Sequence, residues 1–453
     1  MIQCRVQHRL ELTGLHTVCS GSIVPGVTLT CVNTDRFKTG SLSINLIGKL
    51  DRDTAAGFAL LPRVLCRGSS EFPDMERIAV ALDDLYGARV EPIVRKKGEL
   101  HCIGFYTDFP DSRFISGSGS ILEKVVSLTG GILLSPDMRE GMLRQDYVDS
   151  EKVNLIDDIR AGINDKRGYS IDRLIEEMCA HEAFGINRLG NEAGVGAITP
   201  GSLTASYRDI LSGSRIEILY CGSAAPEYVE PIIRSALGGL LQRAGAAFPE
   251  TQVVLYPASD PPRRITEALD VTQGKLVIGF RLGKAMSGKP DYPALMVFNA
   301  IFGSCDTSKL FLNVRERLSL CYYISSSLER YKGVMLVSSG VEFSDFDAAI
   351  DEIFAQLGNI KKGNVSDQEL ISAKSTIITA VKSTMDRPTG LLDLYFDSLV
   401  APYRYDPARL CEMIGAVTLD RVVETASEIK PDSIFLLTGR DRAARNCAYD
   451  DSL

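Results

Sequence analysis

A degenerate internal repeat constrains this chain more than any other feature. The stretch AITPGSLTASYRDILSGSRIEILYCG, Ala197 to Gly222, parallels AVTLDRVVETASEIKPDSIFLLTG, Ala416 to Gly439. Each reads as a threonine-capped helix, a turn and a strand that ends at glycine. The copies lie about half the chain apart, and the first carries an extra Pro200-Gly201. A second pairing sets FALLPRVLCRGSS, from Phe58, against ALMVFNAIFGSCDTS, from Ala294; both are apolar helical runs stopped at Gly-Ser. One domain present twice fits both pairings. The boundary is expected in Ala244 to Arg264, where four prolines and small polar residues interrupt the periodic pattern. The expected division is therefore 1–243, a linker over 244–264, and 265–453.

Within each half, helical and strand patterns alternate. Ile78, Leu82 and Leu85 make an apolar stripe closed by Gly87, and Leu295, Phe298 and Phe302 make another. Ser366 and Glu369 form a capping box for a long helix through Ile371, Ile378 and Val381. Strands are expected at Lys275 to Leu282, Tyr322 to Leu328, Val334 to Ser339 and Ser433 to Thr438. Hairpin-like strand pairs with intervening helices point to the α+β class: two mostly antiparallel sheets, each with helices packed on one face.

With 453 residues and 45% hydrophobic content, the chain can bury a core in each half. A net charge of -8 argues against nucleic acid or an anionic membrane as partner. The opening residues Met1 to Arg9 lack an apolar run behind a basic start, and no later stretch is long and apolar enough to span a bilayer, so a cytoplasmic location is expected. The eleven cysteines run from Cys4 to Cys447 without a C-x-x-C pair, which suits reduced, buried thiols rather than a disulfide frame or a zinc ribbon. Cys305 and Cys321 have no histidine nearby in sequence to make a nucleophile of either. The four histidines, His8, His16, His101 and His181, include no pair at a helical ligand spacing; where His181-Glu182 would need its second histidine stands Gly185. All four read as structural or surface residues.

A set of short blocks resembles the pitrilysin/insulinase family of zinc metallopeptidases over nearly the whole chain. Ser308-Lys309-Leu310-Phe311, Val314-Arg315-Glu316 and Leu320-Cys321-Tyr322 are similar to the family's S-x-L-F, V-R-E and L-x-Y elements, and Thr272-Gln273-Gly274 resembles its entry to the second domain. In the first half, Cys66-Arg67-Gly68-Ser69 resembles the K-G-[TS] turn that follows the metal helix, and Asp149 to Ile159 resembles the helix bearing the distal glutamate ligand, with Glu151 in the ligand position. This resemblance implies a mitochondrial processing peptidase/LuxS-like fold. It also sets the register in which the H-x-x-E-H motif falls on Ala59, Pro62 and Arg63.

That motif needs two neutral imidazoles to hold zinc and a glutamate to take a proton from the metal-bound water. Alanine has no lone pair to offer, proline has no base, and arginine carries a fixed positive charge that repels a divalent cation. No metal and no cofactor are expected, and Glu151 reads as a solvated helical glutamate, a ligand without a site. Pro62 inside the helical pattern costs about 3 kcal/mol, so the helix is expected to kink or to begin there.

Arg315 and Tyr322 occupy the positions of the family's Arg/Tyr pair, which acts across a chamber from zinc. By that resemblance Tyr322 donates to an oxyanion and Arg315 holds a substrate carbonyl or carboxylate. Two departures stand out: the usual glycine before L-x-Y is Ser319, and the glycine-rich turn before Ser308 is reduced to Gly303-Ser304-Cys305-Asp306. Tyr323 is expected to point to the opposite strand face and pack.

Some members of the family are inactive subunits that pair with an active one. LLPRVLCRGS, LDDLYGA and Lys96 to Glu99 resemble one bacterial branch of these, the YmfF-like proteins, associated with aminopentanol modification of elongation factor P. The resemblance implies a proteolytically inactive subunit whose partners are a zinc-bearing homologue and an unfolded peptide. The rival expectation is a homodimeric, non-enzymatic scaffold or peptide-binding protein of the same fold.

Overall fold

The structure is a computed structural model and describes residues 8–12, 16–115, 120–242, 249, 256–283, 292–401 and 407–440. Its residues group by contact into two units. The first comprises Met1–Arg160, Ile186–Thr251 and Ser383–Val400; the second comprises Ala161–Gly185, Gln252–Lys382 and Ala401–Leu453. Each unit thus includes a segment from the other half of the chain, and this grouping cuts across a simple linear division at 244–264. Much of 244–264 lies outside the described residues.

The first half carries strands β1 (His8–Leu12), β2 (His16–Val24), β3 (Val27–Asn33), β4 (Thr39–Lys49), β5 (Arg89–Lys97) and β6 (Leu100–Pro110). Two short strands, β7 (Met138–Arg139) and β8 (Met142–Leu143), and then β9 (Arg215–Gly222) follow. Its helices are α1 (Ala55–Leu65), α2 (Met75–Asp83), α3 (Ile121–Leu134) and α4 (Gln145–Ala161). They continue as α5 (Lys166–Met178), α6 (Glu192–Ala197), α7 (Pro200–Gly213) and α8 (Pro226–Ala236). The second half carries β10 (Arg263–Leu269), β11 (Gly274–Arg281), β12 (Cys321–Glu329), β13 (Val334–Val341) and β14 (Lys430–Gly439). Its helices are α9 (Tyr292–Asn299), α10 (Phe346–Lys361), α11 (Asp367–Thr384), α12 (Pro388–Val400), α13 (Pro407–Gly415) and α14 (Leu419–Glu428).

The repeat has a structural counterpart in each unit. Thr199 caps α7 with a capping box to Ser202, and Thr418 caps α14 by accepting the Arg421 N–H. The strands that follow take equivalent places: β9 runs parallel to β3 and antiparallel to β4, while β14 runs parallel to β10 and antiparallel to β11. The first sheet has the order β1-β2-β3-β9-β4-β6-β5 and the second β10-β14-β11-β13-β12. In each, one pair is parallel and the others are antiparallel. The α+β expectation is borne out, as are the four expected strands, which appear as β11 to β14.

Strand alternation splits each sheet into two faces. In the first unit α1, α3, α7 and α8 bury Leu60, Val125, Ile210 and Ile233 against Leu42, Ile44, Ile216 and Ile218. The opposite face carries α12: Arg95 and Lys97 of β5 pair with Asp393 and Asp397 at 2.5 and 2.8 Å, and the Tyr395 hydroxyl lies 2.8 Å from His16 Nε2. In the second unit Leu276, Ile278 and Ile434 face the core built by α9, α10 and α14. The alternate residues Val277, Phe435 and Leu437 take Leu174, Ile175 and Met178 of α5. To the expected helical layer the fold therefore adds, on each sheet's second face, one helix drawn from the other half of the chain.

Two local expectations are narrowed. Of the two alternatives for Pro62, a helix that begins there is excluded, because α1 runs from Ala55 to Leu65 with the proline inside. Leu60, Leu61, Val64 and Leu65 are each at most 2% exposed, and burying four such side chains, at roughly 1.5–3 kcal/mol each, outweighs a proline cost of about 3 kcal/mol. In α11 the Ser366/Glu369 capping box forms as expected and Ile378 and Val381 pack against the core, together with Leu370, Ala373 and Ile377, but Ile371 is 60% exposed.

Candidate functional site

The positions of the H-x-x-E-H motif lie on α1. Ala59 is wholly buried in the first core. Arg63, in the last turn, reaches the Asp158 carboxylate on α4 at 2.6 Å. The chain leaves α1 through the turn at Gly68, where a Cβ would come within 2.6 Å of the Pro73 carbonyl oxygen, so only glycine fits without displacing backbone. This turn brings Arg67 onto Glu151, whose Oε1 accepts from Arg67 Nε at 2.5 Å and from Asn154 at 3.3 Å. Burial, and after it the charge of Glu151, push the Cys66 thiol up to about 12, so it is a protonated packing residue here.

Glu151 is not the solvated glutamate expected from the sequence. It is 8% exposed and lies on the buried stripe of α4 between Val148 and Leu155. Its burial is tolerated because Arg67 pairs with it. Helix α1 and the turn after it thus present two guanidinium–carboxylate pairs to α4, Arg63 with Asp158 and Arg67 with Glu151.

These pairs form part of the wall of a cavity of about 770 Å³. Its apolar side comes from Ile78 and Leu82 of α2 and from Val90, Pro92 and Val94 of β5, the edge strand of the first sheet. Proline suits an edge because it has no N–H to give to a ladder. Met75, at the rim, is 53% exposed, and Arg188 adds a third guanidinium.

In the second unit, Arg315 is carried on a π-helical turn, Phe311–Arg317, with its guanidinium 4.7 Å from the Phe311 ring centre and its Nε 3.7 Å from Glu316. Tyr322 occupies the bulge in β12 between Cys321 and Tyr323, where the register with β13 shifts. A bulge re-aims the side chain it carries, and Tyr322 is 61% exposed, its hydroxyl donating to Glu342 Oε1 at 2.7 Å. That acceptor raises the Tyr322 pKa, so the phenol stays a donor. Tyr323 packs half-buried, with the Arg167 guanidinium 4.6 Å from its ring centre.

A family model described as Peptidase M16 inactive domain matches residues 197–377. The Bacillus subtilis (strain 168) protein named "Probable inactive metalloprotease YmfF" is 31% identical over 419 residues, 92% of this chain and 97% of that one. The chain belongs to the M16, or insulinase, family of peptidases. Among solved structures, a conserved protein from Enterococcus faecalis V583 superposes with a TM-score of 0.85 at 25% identity, over 93% of this chain and 99% of that one. A protease from Helicobacter pylori shares the fold, with a TM-score of 0.76 at 16% identity, over 94% and 100% of the two chains. This M16 member is an inactive peptidase-like protein.

The residues present do not fit the zinc of M16 peptidases. The two imidazole positions are Ala59 and Arg63, the base position is Pro62, and the distal carboxylate is already neutralised by Arg67. Two guanidinium groups put fixed positive charge where the metal's would be. Among the described residues, no three His, Cys, Asp or Glu side chains cluster to hold a metal, and no helix is long and apolar enough to cross a membrane.

Arg67, Asp158 and Arg188 are not marked out as site residues by the sequence. Arginines four residues apart opposite acids seven apart on an amphipathic helix would have pointed to the two pairs; Arg188, in a loop, leaves no such pattern. The departure at Ser319, by contrast, has a clear structural cost. Ser319 has φ 52°, in the left-handed region, just where the family's usual glycine would sit. Ser319→Gly is expected to stabilise the chain by about 1 kcal/mol, relief of that strain exceeding the added entropy of glycine. A urea midpoint that falls would show that Ser319 earns its place by some contact instead.

Proposed function

We propose that this chain is a non-catalytic subunit that pairs with a zinc-bearing M16 homologue to form a peptide-processing chamber. The observation that carries the reading is the asymmetry of its losses: Arg63 and Glu151, at positions aligned with metal ligands, are held in guanidinium–carboxylate pairs, while the cavity beside edge strand β5 stays open and the block bearing Arg315 and Tyr322 is kept. The partner supplies metal, base and water. This chain supplies a surface for an extended peptide beside β5, and Arg315 and Tyr322 to hold substrate and oxyanion. A cytoplasmic location and a link to elongation factor P modification belong to the same proposal.

One observation favours the scaffold reading, with a self-dimer as the assembly: the Tyr322 hydroxyl is already engaged by Glu342. The readings separate when the chain is purified alone and with a zinc-bearing M16 homologue, and bound zinc and cleavage of unstructured peptides are measured in both. The complementing subunit is zinc-free and inactive alone but active in the pair, and Tyr322→Phe slows the pair by about 100- to 1000-fold. An unchanged rate with Tyr322→Phe removes that residue from the chemistry. Stoichiometric zinc with cleavage by this chain alone overturns the whole reading.

A further inference from the structure

The cavity beside α1 carries an excess of positive charge. Arg63, Arg67 and Arg188 line it against the carboxylates of Glu151 and Asp158. Arg63 and Arg67 each have one of those acids as partner, whereas no carboxylate among the described residues pairs with Arg188, which is exposed. This local surplus stands out in a chain whose net charge is -8. The opposite wall is apolar, formed by Ile78, Leu82, Val90 and Val94.

We propose that this cavity takes an extended peptide segment with a carboxylate side chain close to an apolar one, the carboxylate meeting Arg188 and the apolar group lying against α2 and β5. The inference rests on the peptide-docking part of the proposed function and adds the chemistry of the peptide. Two features lead to it. Pro92 withholds a donor from the β5 edge, so main-chain pairing alone gives an added strand a broken ladder, and side-chain contacts in the cavity must do more of the selecting. A guanidinium presents several donors in a fixed fork that suits a carboxylate, and on an acidic protein such a site discriminates against basic segments mainly through this local field.

The test uses the full chain and a fluorescein-labelled ten-residue peptide with leucine and glutamate at alternating inward positions and serine between them, together with its glutamine analogue. Fluorescence anisotropy at low ionic strength should give a Kd for the glutamate peptide about two- to fivefold lower than for the analogue, as one partly exposed charge pair allows. The ratio should shrink with added salt and approach one in Arg188→Gln. Equal affinity of the two peptides for the native chain overturns the acidic preference while leaving peptide docking intact. Failure of both peptides to bind overturns docking as well, and a ratio that survives Arg188→Gln overturns the assignment of Arg188.

Discussion

Glu182→Gln is expected to destabilise the second unit by about 3–5 kcal/mol, the range for removing one partner of a buried ion pair. Glu182 sits at the centre of a network within that unit: one carboxylate oxygen meets Arg281 at 2.7 Å and the other meets Lys332 at 2.5 Å. The Lys332 side chain is wholly buried and that of Glu182 is 2% exposed. Arg281 also pairs with Asp432 at 3.4 Å and donates to the Met178 carbonyl at 3.0 Å, while Asp432 accepts from Ser433 at 2.6 Å. Two cations thus balance two carboxylates away from water. Glutamine keeps the shape but removes the charge that offsets desolvation of Lys332. Because Glu182 belongs to the segment that the first half contributes to this unit, the loss should appear locally. Hydrogen exchange in α5, which ends at Met178, should quicken before that of β11 and β13. Adding Lys332→Met to Glu182→Gln should recover much of the loss, since a well-packed apolar pair substitutes for a buried ionic one. A single-variant loss below about 1 kcal/mol would mean that water reaches the network and that it does not fasten the segment.

The same network shows where the sequence was readable and where it was not. The repeat around β9 and β14 was legible because caps, turns and alternating strands are local signals, and the lost metal motif was legible because its donors are residue types at fixed spacing. The crossing of α5 and α12 to the opposite sheets was not. Helix α5 is amphipathic and α12 largely apolar, but no local pattern says which sheet either helix covers, and that is decided by long-range partners such as Asp393 for Arg95. Glu182 shows the same limit: beside His181 it resembled a fragment of a metal motif, and its actual partners lie about a hundred residues or more away, at Arg281 and Lys332. Glu151 was within reach, because Val148 and Leu155 flank it on one helical face and mark it for burial. Arg315 and Tyr322 are singled out by the resemblance alone, and the π-helical turn and the bulge that orient them have no signature beyond the departure at Ser319.

His101 should make the chain acid-labile. The residue lies on β6 and is fully buried, its ring centre 6.1 Å from that of Phe58, and neither ring nitrogen completes a hydrogen bond. Burial lowers its pKa from 6.5 to about 4; the Arg188 backbone opposes this only in part, while the charges of Arg188 and Lys96 add to it. The folded state therefore resists protonation that the unfolded chain accepts. The stability conferred by a neutral imidazole is complete above pH 6.5, falls progressively as the pH drops from 6.5 to about 4, and is gone below that. A gap of this size corresponds to about 3 kcal/mol. His101→Phe replaces the ring with an apolar one of similar shape and leaves no nitrogen to protonate. It should be close to neutral at pH 7, because the approach of the imidazole to the Arg188 backbone falls short of a full hydrogen bond and little is lost with it, and at pH 4 it should exceed the parent by about 3 kcal/mol. Urea unfolding of both proteins across this pH range decides the matter. Parallel curves for parent and variant would show that the imidazole takes up its proton in the folded state at an ordinary pH, through water reaching the ring beside Phe58. Diverging curves would establish that burial, helped by the nearby charges of Arg188 and Lys96, makes this one residue a determinant of acid stability.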